Sequence, residues 1–268
     1  MNDKQNVARV LLTGAGSGFG RSIAVALAAQ GYGLLLADRD SAGLDKTLSL
    51  IGEPKRVQIA VTDLADEAAR RDLVDKAESM LGGIDILINN AGVGGGPAKF
   101  WEASADDVQA CMDVNGVAPL RLAMMTAPRM AERGWGRIIN VTTSIGTMFM
   151  LAPYGGSKAA NEAFIVKMAS DLTGTGVTAN AILPGGVAAT SMGLKSGLSR
   201  EHMLPPEVIV PPVLWLASRH SDNVTGRRFV ASDWNADLPV QEAAEAASGP
   251  AGWPVTQAIT QEALLRRP

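Results

Sequence analysis

Tyr154 and Lys158 stand four residues apart in Tyr154-Gly155-Gly156-Ser157-Lys158, at the head of a helical pattern, so both side chains fall on one helix face. An ammonium beside a phenol favours the phenolate. The pair is therefore expected to lower the tyrosine pKa from about 10 and make Tyr154 usable as a general acid or base. Other proton carriers are scarce: one cysteine, Cys111, two histidines, His202 and His220, and Tyr32, which has no lysine a helical turn away. A single cysteine forms no intrachain disulfide, and two distant histidines without a second thiol build no structural zinc site, so no metal is expected. A Tyr/Lys pair on a helix surface is the plain alternative, and the rest of the chain weighs against it.

A second concentration of chemistry lies in Thr13-Gly14-Ala15-Gly16-Ser17-Gly18-Phe19-Gly20, between an apolar run and a helical pattern. Strand, glycine turn and helix are what a phosphate-binding turn requires: glycines for unusual dihedrals and close backbone approach, then a helix N-terminus with unpaired N–H groups. The strict G-x-G-x-x-G pattern fails, because Phe19 and Arg21 occupy the third-glycine positions of its two registers, and no Gly-Lys-Ser/Thr marks a P-loop. Asp38 closes the next apolar run. A carboxylate there can accept hydrogen bonds from both hydroxyls of an adenosine ribose and repels a 2'-phosphate, which favours NAD over NADP. Arg39 works the other way, since a guanidinium could pair with that phosphate; Ser17, in place of a basic residue in the turn, again favours NAD.

These residues need a sheet to hold them. Short apolar runs at Val7–Thr13, Gly33–Ala37, Val57–Val61, Ile84–Asn89, Gly136–Thr143, Val177–Leu183 and Arg228–Ala231 alternate with helical patterns near 19–30, 41–50, 66–81, 104–133, 155–173 and 206–218. That rhythm predicts an α/β fold, with a doubly wound sheet of about seven parallel strands covered by helices on both faces. Two long connections, Val93–Lys99 and Gly185–Pro206, follow strands at the edge where open α/β sheets bind ligands; both are candidate lids, and the first reads equally well as a simple surface insertion. Residues 1–234 read as one domain and 235–268 as a loosely structured tail.

Composition agrees with this. The 268 residues are 47% hydrophobic and 19% charged, with a net charge of -3, which suits a buried core and argues against a basic nucleic-acid arm. The N-terminus carries Asp3 and Lys4 and lacks the apolar stretch of a secretory signal. The long uncharged stretch Ile138–Ser157 holds Asn140, Thr142, Thr143 and Ser144, so no membrane span is expected. A reducing, cytoplasmic location is expected.

Taken in order, the motifs resemble the short-chain dehydrogenase/reductase family over about residues 7–232. They are T-G-x-x-x-G-x-G with Gly14, Gly18 and Gly20; N-N-A-G at Asn89-Asn90-Ala91-Gly92; Asn115 in Val114-Asn115-Gly116; Tyr154 with Lys158; and Pro184-Gly185. The resemblance implies a Rossmann-like, three-layer fold and reversible hydride transfer between NAD(H) and a secondary alcohol or ketone. It sets Gly14, Ser17, Gly18, Phe19 and Gly20 at the pyrophosphate, Asp38 and Arg39 at the ribose, and Asp63 with Leu64 at the adenine. Asp63 could equally cap the helix that follows. Asn90, Ala91 and Gly92 would run along the cofactor. Pro184 and Gly185 would close over the nicotinamide, with Val187 and Thr190 at its carboxamide. Tyr154 would exchange the proton, Lys158 would hold the phenolate and the ribose, and Asn115 would anchor a water beside the lysine. Thr143 stands where the family carries serine, and Ser144 is its neighbour, so both hydroxyls are candidates for the substrate oxygen. Met148, Phe149, Met150 and Leu151, with Met192, Leu194, Leu198 and Met203, suggest an apolar pocket, although methionines also fill core gaps. The resemblance implies a homodimer or homotetramer. A non-catalytic nucleotide-binding scaffold or sensor and an NADP-dependent carbonyl reductase are the rival readings.

Overall fold

The apolar runs form one sheet. In the computed structural model, which describes residues 7–52, 56–94 and 99–253, seven parallel strands lie in the order β3-β2-β1-β4-β5-β6-β7. They are β1 (Arg9–Thr13), β2 (Gly33–Asp38), β3 (Val57–Val61), β4 (Ile86–Asn89), β5 (Gly136–Val141), β6 (Val177–Leu183) and β7 (Arg227–Val230). Helices α1 (Gly18–Ala29), α2 (Ser41–Ile51), α3 (Glu67–Leu81), α4 (Ala105–Cys111), α5 (Ala118–Glu132), α6 (Ile145–Met150), α7 (Tyr154–Asp171), α8 (Val210–Leu216) and α9 (Val240–Ala246) accompany them. Gly95, Gly96 and Pro97 of the first candidate lid, and residues 254–268, lie outside the described residues.

Both faces of the sheet are covered, which is why the strands lack polar alternation. Val10, Leu12, Leu34, Leu36, Ile86 and Ile88 point to one side, against Ile23 and Leu27 of α1 and Val213 and Leu216 of α8. Leu11, Leu35, Leu87 and Ile138 point to the other, against Leu73 and Ala77 of α3 and Leu122 and Met130 of α5. Strand order reverses between β1 and β4, so the crevice at their carboxyl ends is the place where such sheets bind ligands.

Three expectations need correction. An eighth strand, β8 (Ser248–Pro250), pairs antiparallel with β7, and α9 precedes it, so ordered structure runs past residue 234 into the segment read as a tail. Ser-Gly-Pro carries no apolar signal; β8 is held by backbone pairing and by Arg227, whose Nε donates to Ser248 Oγ at 3.1 Å, while α9 buries only Ala243 and Ala244. The single helix expected over 104–133 is instead α4, a π-helical turn at Met112–Val117, and α5. The connection after β5 holds the short helix α6, on which Met148 is buried while Phe149 and Met150 are exposed, at 73% and 80%.

The C-terminal addition is tied in by charge. The Glu162 carboxylate on α7, with none of its side chain exposed, pairs with Arg228 of β7 and accepts the Gly252 N–H at 3.0 Å. Removing one partner of a buried pair strands the other charge. Arg228→Met is therefore expected to cost about 3 kcal/mol in urea unfolding, and Arg228→Met/Glu162→Leu to regain most of the loss.

Candidate active site

The glycine turn is built around close approach. Gly14 has φ +68° and Gly18 φ +49°, a region L side chains rarely adopt. A Cβ on Gly14 would meet Ala91 Cα and Asn90 Nδ2 at 2.7 Å, and one on Gly18 would meet Thr190 Cγ2 at 2.9 Å. Asn90 Nδ2 donates to the carbonyls of Thr13 and Gly14, at 2.9 and 3.0 Å, and pins the turn to the end of β4. Thr13 Oγ1 accepts from the N–H groups of Asn90 and Ala91, both at 3.1 Å. From behind, Arg21 donates to the Gly16 carbonyl and to Thr47 Oγ1, and Thr47 Oγ1 donates to the Ala15 carbonyl at 2.8 Å. Ser17 is the extended N-cap of α1 and its side chain caps no N–H, so the first turn of this helix keeps donors for an anion.

Asp38, half-buried at the end of β2, accepts from Gly16 N at 2.8 Å and from Asp40 N at 3.0 Å. Its carboxylate is thus fixed beside the glycine turn, whereas Arg39 is exposed. Asp63 is exposed, with Oδ1 accepting from Ala65 N at 3.0 Å, while Leu64 is buried. The cap of α3 is Asp66, which accepts from Ala68 N, so the capping alternative for Asp63 fails.

Tyr154 opens α7, and its ring centre lies 6.0 Å from Lys158 Nζ. Lys158 is buried, donates to the Val141 carbonyl at 2.8 Å, and burial pushes its pKa down to about 8. The expected lowering of the phenol pKa is not what the structure gives. Burial pushes the Tyr154 phenol above 10, and the neighbouring Thr143 hydroxyl opposes the shift. Desolvation of the charged form outweighs the help a neighbouring donor offers. The two candidate hydroxyls part company: Thr143 faces the phenol, whereas Ser144 is the N-cap of α6, with Oγ accepting from Thr147 N at 3.1 Å.

Asn115, fully buried in the π-helical turn, clamps the strand extension after β4. Its Oδ1 accepts from Val93 N at 2.9 Å, and its Nδ2 donates to the Val93 carbonyl at 2.8 Å and to Ser157 Oγ at 2.9 Å. Ser157 in turn donates to the Tyr154 carbonyl at 2.7 Å. Gly92 lies against this group, since a Cβ there would meet Asn115 Oδ1 at 3.2 Å and Lys158 Nζ at 3.4 Å.

The second candidate lid leans over the same edge. Its base is pinned where Ala189 N donates to the Leu204 carbonyl at 2.9 Å and Leu204 N to the Val187 carbonyl at 2.8 Å. Thr190 rests on Gly18, Ser191 Oγ lies 3.4 Å from Ser17 Oγ, and Met192 fills the space beside Gly94. Gly185, after Pro184, has φ +91° and packs against Ser232. Asp38, Thr143, Tyr154, Lys158, Asn115 and the glycine turn thus converge at the strand ends. Reading the sequence missed Thr13 as an acceptor, although it begins the glycine motif, and missed Arg21, Thr47 and Ser157, which no motif marks.

The family model described as short chain dehydrogenase matches residues 8–200. "Ketoacyl reductase HetN" of Nostoc sp. is 33% identical over 193 residues, covering 71% of this chain and 67% of that protein. "NADP-dependent 3-hydroxy acid dehydrogenase YdfG" of Salmonella typhi is 30% identical over 221 residues, 78% of this chain and 88% of that one. Among solved structures, a 3-ketoacyl-(acyl-carrier-protein) reductase from Brucella melitensis complexed with NADH aligns with a TM-score of 0.75 and 26% identity, over 82% of this chain and 95% of that one.

The buried lysine makes stability depend on pH. Its folded pKa, about 8, lies below the ordinary 10.5, so between these values the unfolded chain binds more protons and stability rises with pH. In urea unfolding from pH 8 to 10.5, the wild type is expected to gain on Lys158→Met by up to about 1.4 kcal/mol per pH unit, and to show the full burial penalty below pH 8.

Proposed function

The chain belongs to the short-chain dehydrogenase family, and from that premise we propose that it reduces a ketone with NADH, Tyr154 being the proton donor. The observation that carries the reading is the convergence of Tyr154, Thr143, Lys158 and Asn115 beside the glycine turn, at the point where strand order reverses. The turn fits a dinucleotide: its glycines admit close backbone approach, and the uncapped start of α1 presents N–H groups to a pyrophosphate. Asn90, Ala91 and Gly92 would line the same groove, with Leu64 and Asp63 at the adenine end and Pro184, Gly185, Val187 and Thr190 over the nicotinamide. A bound nicotinamide dinucleotide supplies the hydride that reduces the substrate carbon.

The protein's own part is the proton and the geometry. Burial keeps the Tyr154 phenol protonated at neutral pH, the state that can donate to a carbonyl oxygen. In reduction Tyr154 Oη–H gives its proton to that oxygen as the C=O double bond opens, and Thr143 Oγ1–H donates a hydrogen bond to the same oxygen. The phenolate left behind is stabilised by the Lys158 ammonium in a poorly hydrated site. Asn115 holds Val93, and through Ser157 the start of α7, so that donor and substrate oxygen keep one separation.

Asp38 supports NADH, because its fixed carboxylate opposes a 2'-phosphate; Arg39, though exposed, would favour NADPH. The names of two relatives, a ketoacyl reductase and a 3-hydroxy acid dehydrogenase, support a substrate with an oxygen function β to a carboxyl or acyl carbon. An assembly of two or four copies in a reducing, cytoplasmic space belongs to the same reading. A free, buried Cys111 is compatible with that space, and among the described residues no helix is long and apolar enough to cross a membrane.

Ethyl acetoacetate reduction, followed by loss of NADH absorbance, tests the chemistry. Tyr154→Phe should lower turnover by about 100-fold or more with NADH affinity kept; full activity in this variant would overturn the assignment, and a scaffold would bind NADH without turning over any ketone in a wider panel. Calorimetric titration tests the cofactor. Wild type should bind NADH more tightly than NADPH, and Asp38→Ala should shrink that ratio by about tenfold, the effect of about 1.4 kcal/mol.

A further inference from the structure

Four buried asparagines form a one-way chain into the candidate active site. Asn89 Nδ2 donates to Asn140 Oδ1 at 2.8 Å, Asn140 Nδ2 to Asn161 Oδ1 at 2.7 Å, and Asn161 Nδ2 to the main-chain carbonyl of Asn115 at 2.9 Å. All four are at most 2% exposed. The last acceptor sets the direction of the whole chain. A backbone carbonyl only accepts, so Asn161 must present its amide nitrogen to it, its oxygen must receive Asn140, and Asn140 must receive Asn89.

That carbonyl lacks the partner a regular helix would supply. Four residues on from Asn115 stands Pro119, which has no N–H, and the chain around Asn115 is the π-helical turn Met112–Val117. A buried carbonyl short of a donor is costly, so a side chain that can stand in for the missing N–H is favoured there. Asn161 sits one turn beyond Lys158 on α7, on the face that meets the π-helical turn, and no sequence motif covers it.

We propose that Asn161 is a positioning residue: it supplies the N–H that Pro119 withholds from the Asn115 carbonyl, and so holds the Asn115 side chain on Val93 and Ser157 behind Tyr154. The contacts run without a gap from Asn161 Nδ2 to the Asn115 backbone, from Asn115 Nδ2 to Ser157 Oγ, and from Ser157 Oγ to the Tyr154 carbonyl. Asn161 itself touches neither the phenol nor the substrate oxygen. Its effect on turnover rests on the reductase reading above; its hold on the carbonyl does not.

The test uses one restoration and one spectroscopic signature. Asn115-Gly116 is the sole Asn-Gly pair in the sequence, so labelling Asn at the carbonyl carbon and Gly at the amide nitrogen gives a single cross-peak for this carbonyl. In Asn161→Leu the carbonyl-carbon resonance should move upfield as its hydrogen bond is lost. Pro119→Ala/Asn161→Leu, which offers the same carbonyl a backbone N–H, should move it back. With ethyl acetoacetate, Asn161→Leu should lower kcat about tenfold or more, leave NADH affinity within a factor of about two, and regain much of the kcat in the double variant. Asn140→Leu, which loses buried hydrogen bonds but leaves Asn161 Nδ2 in place, should lower the unfolding midpoint with a smaller effect on kcat. An unmoved carbonyl resonance in Asn161→Leu, or a moved one that the double variant does not restore, overturns the proposal. A resonance that moves and returns while no variant, wild type included, reduces any ketone supports the hold on the carbonyl and instead removes the reductase reading.

Discussion

The hydrogen bonds from Asn90 Nδ2 to the carbonyls of Thr13 and Gly14 set the separation of β1 and β4 at their carboxyl ends, and the site is laid out from that junction. Two parallel strands normally diverge once their ladder stops. Here the side chain of one bonds the backbone of the other beyond the last paired residues, and the hydroxyl of Thr13 takes two N–H groups in return. Gly14 and Gly20 are glycine because that junction leaves no room for a Cβ on either. The uncapped start of α1, the Asp38 carboxylate and Gly92 all take their places from this one crossing.

On the other side of the crevice the constraint is polar satisfaction. Lys158, Asn115, Asn140, Asn161 and Ser157 are all buried, and each has a partner within hydrogen-bond distance. A buried polar group without a partner is costly, so the network allows few alternative arrangements and holds α7, the π-helical turn and β5 in one register. The same burial sets the electrostatics. It lowers the Lys158 pKa and raises that of Tyr154, leaving at neutral pH a protonated phenol beside a lysine that is still mostly charged, rather than a phenolate already formed.

Much of the layout was legible because local patterns repeat. Continuous apolar strands separated by amphipathic helices signalled a parallel sheet covered on both faces, and Thr13–Gly20 and Tyr154/Lys158 marked two parts of the site by residue type and spacing. The misses have physical reasons. Strand β8 is Ser-Gly-Pro and α9 buries alanines, so neither carries a hydrophobic period; backbone pairing and the Glu162–Arg228 ion pair hold that end of the chain. The π-helical turn interrupts a helical pattern that reads as unbroken, because inserting one residue into a turn hardly alters the apolar sequence.

Sequence alone determined which groups could carry the chemistry: one tyrosine with a lysine at helical spacing, a glycine turn before a helix, and an acid at the end of the second strand. Those follow from residue identity and short-range geometry, which spacing along a chain encodes. Tertiary structure decided what those groups are electrostatically and which neighbours they have. Thr143 rather than Ser144 faces the phenol because Ser144 is engaged in capping α6, and the tyrosine pKa rises instead of falling because desolvation is set by the surrounding fold and not by the residue four positions away.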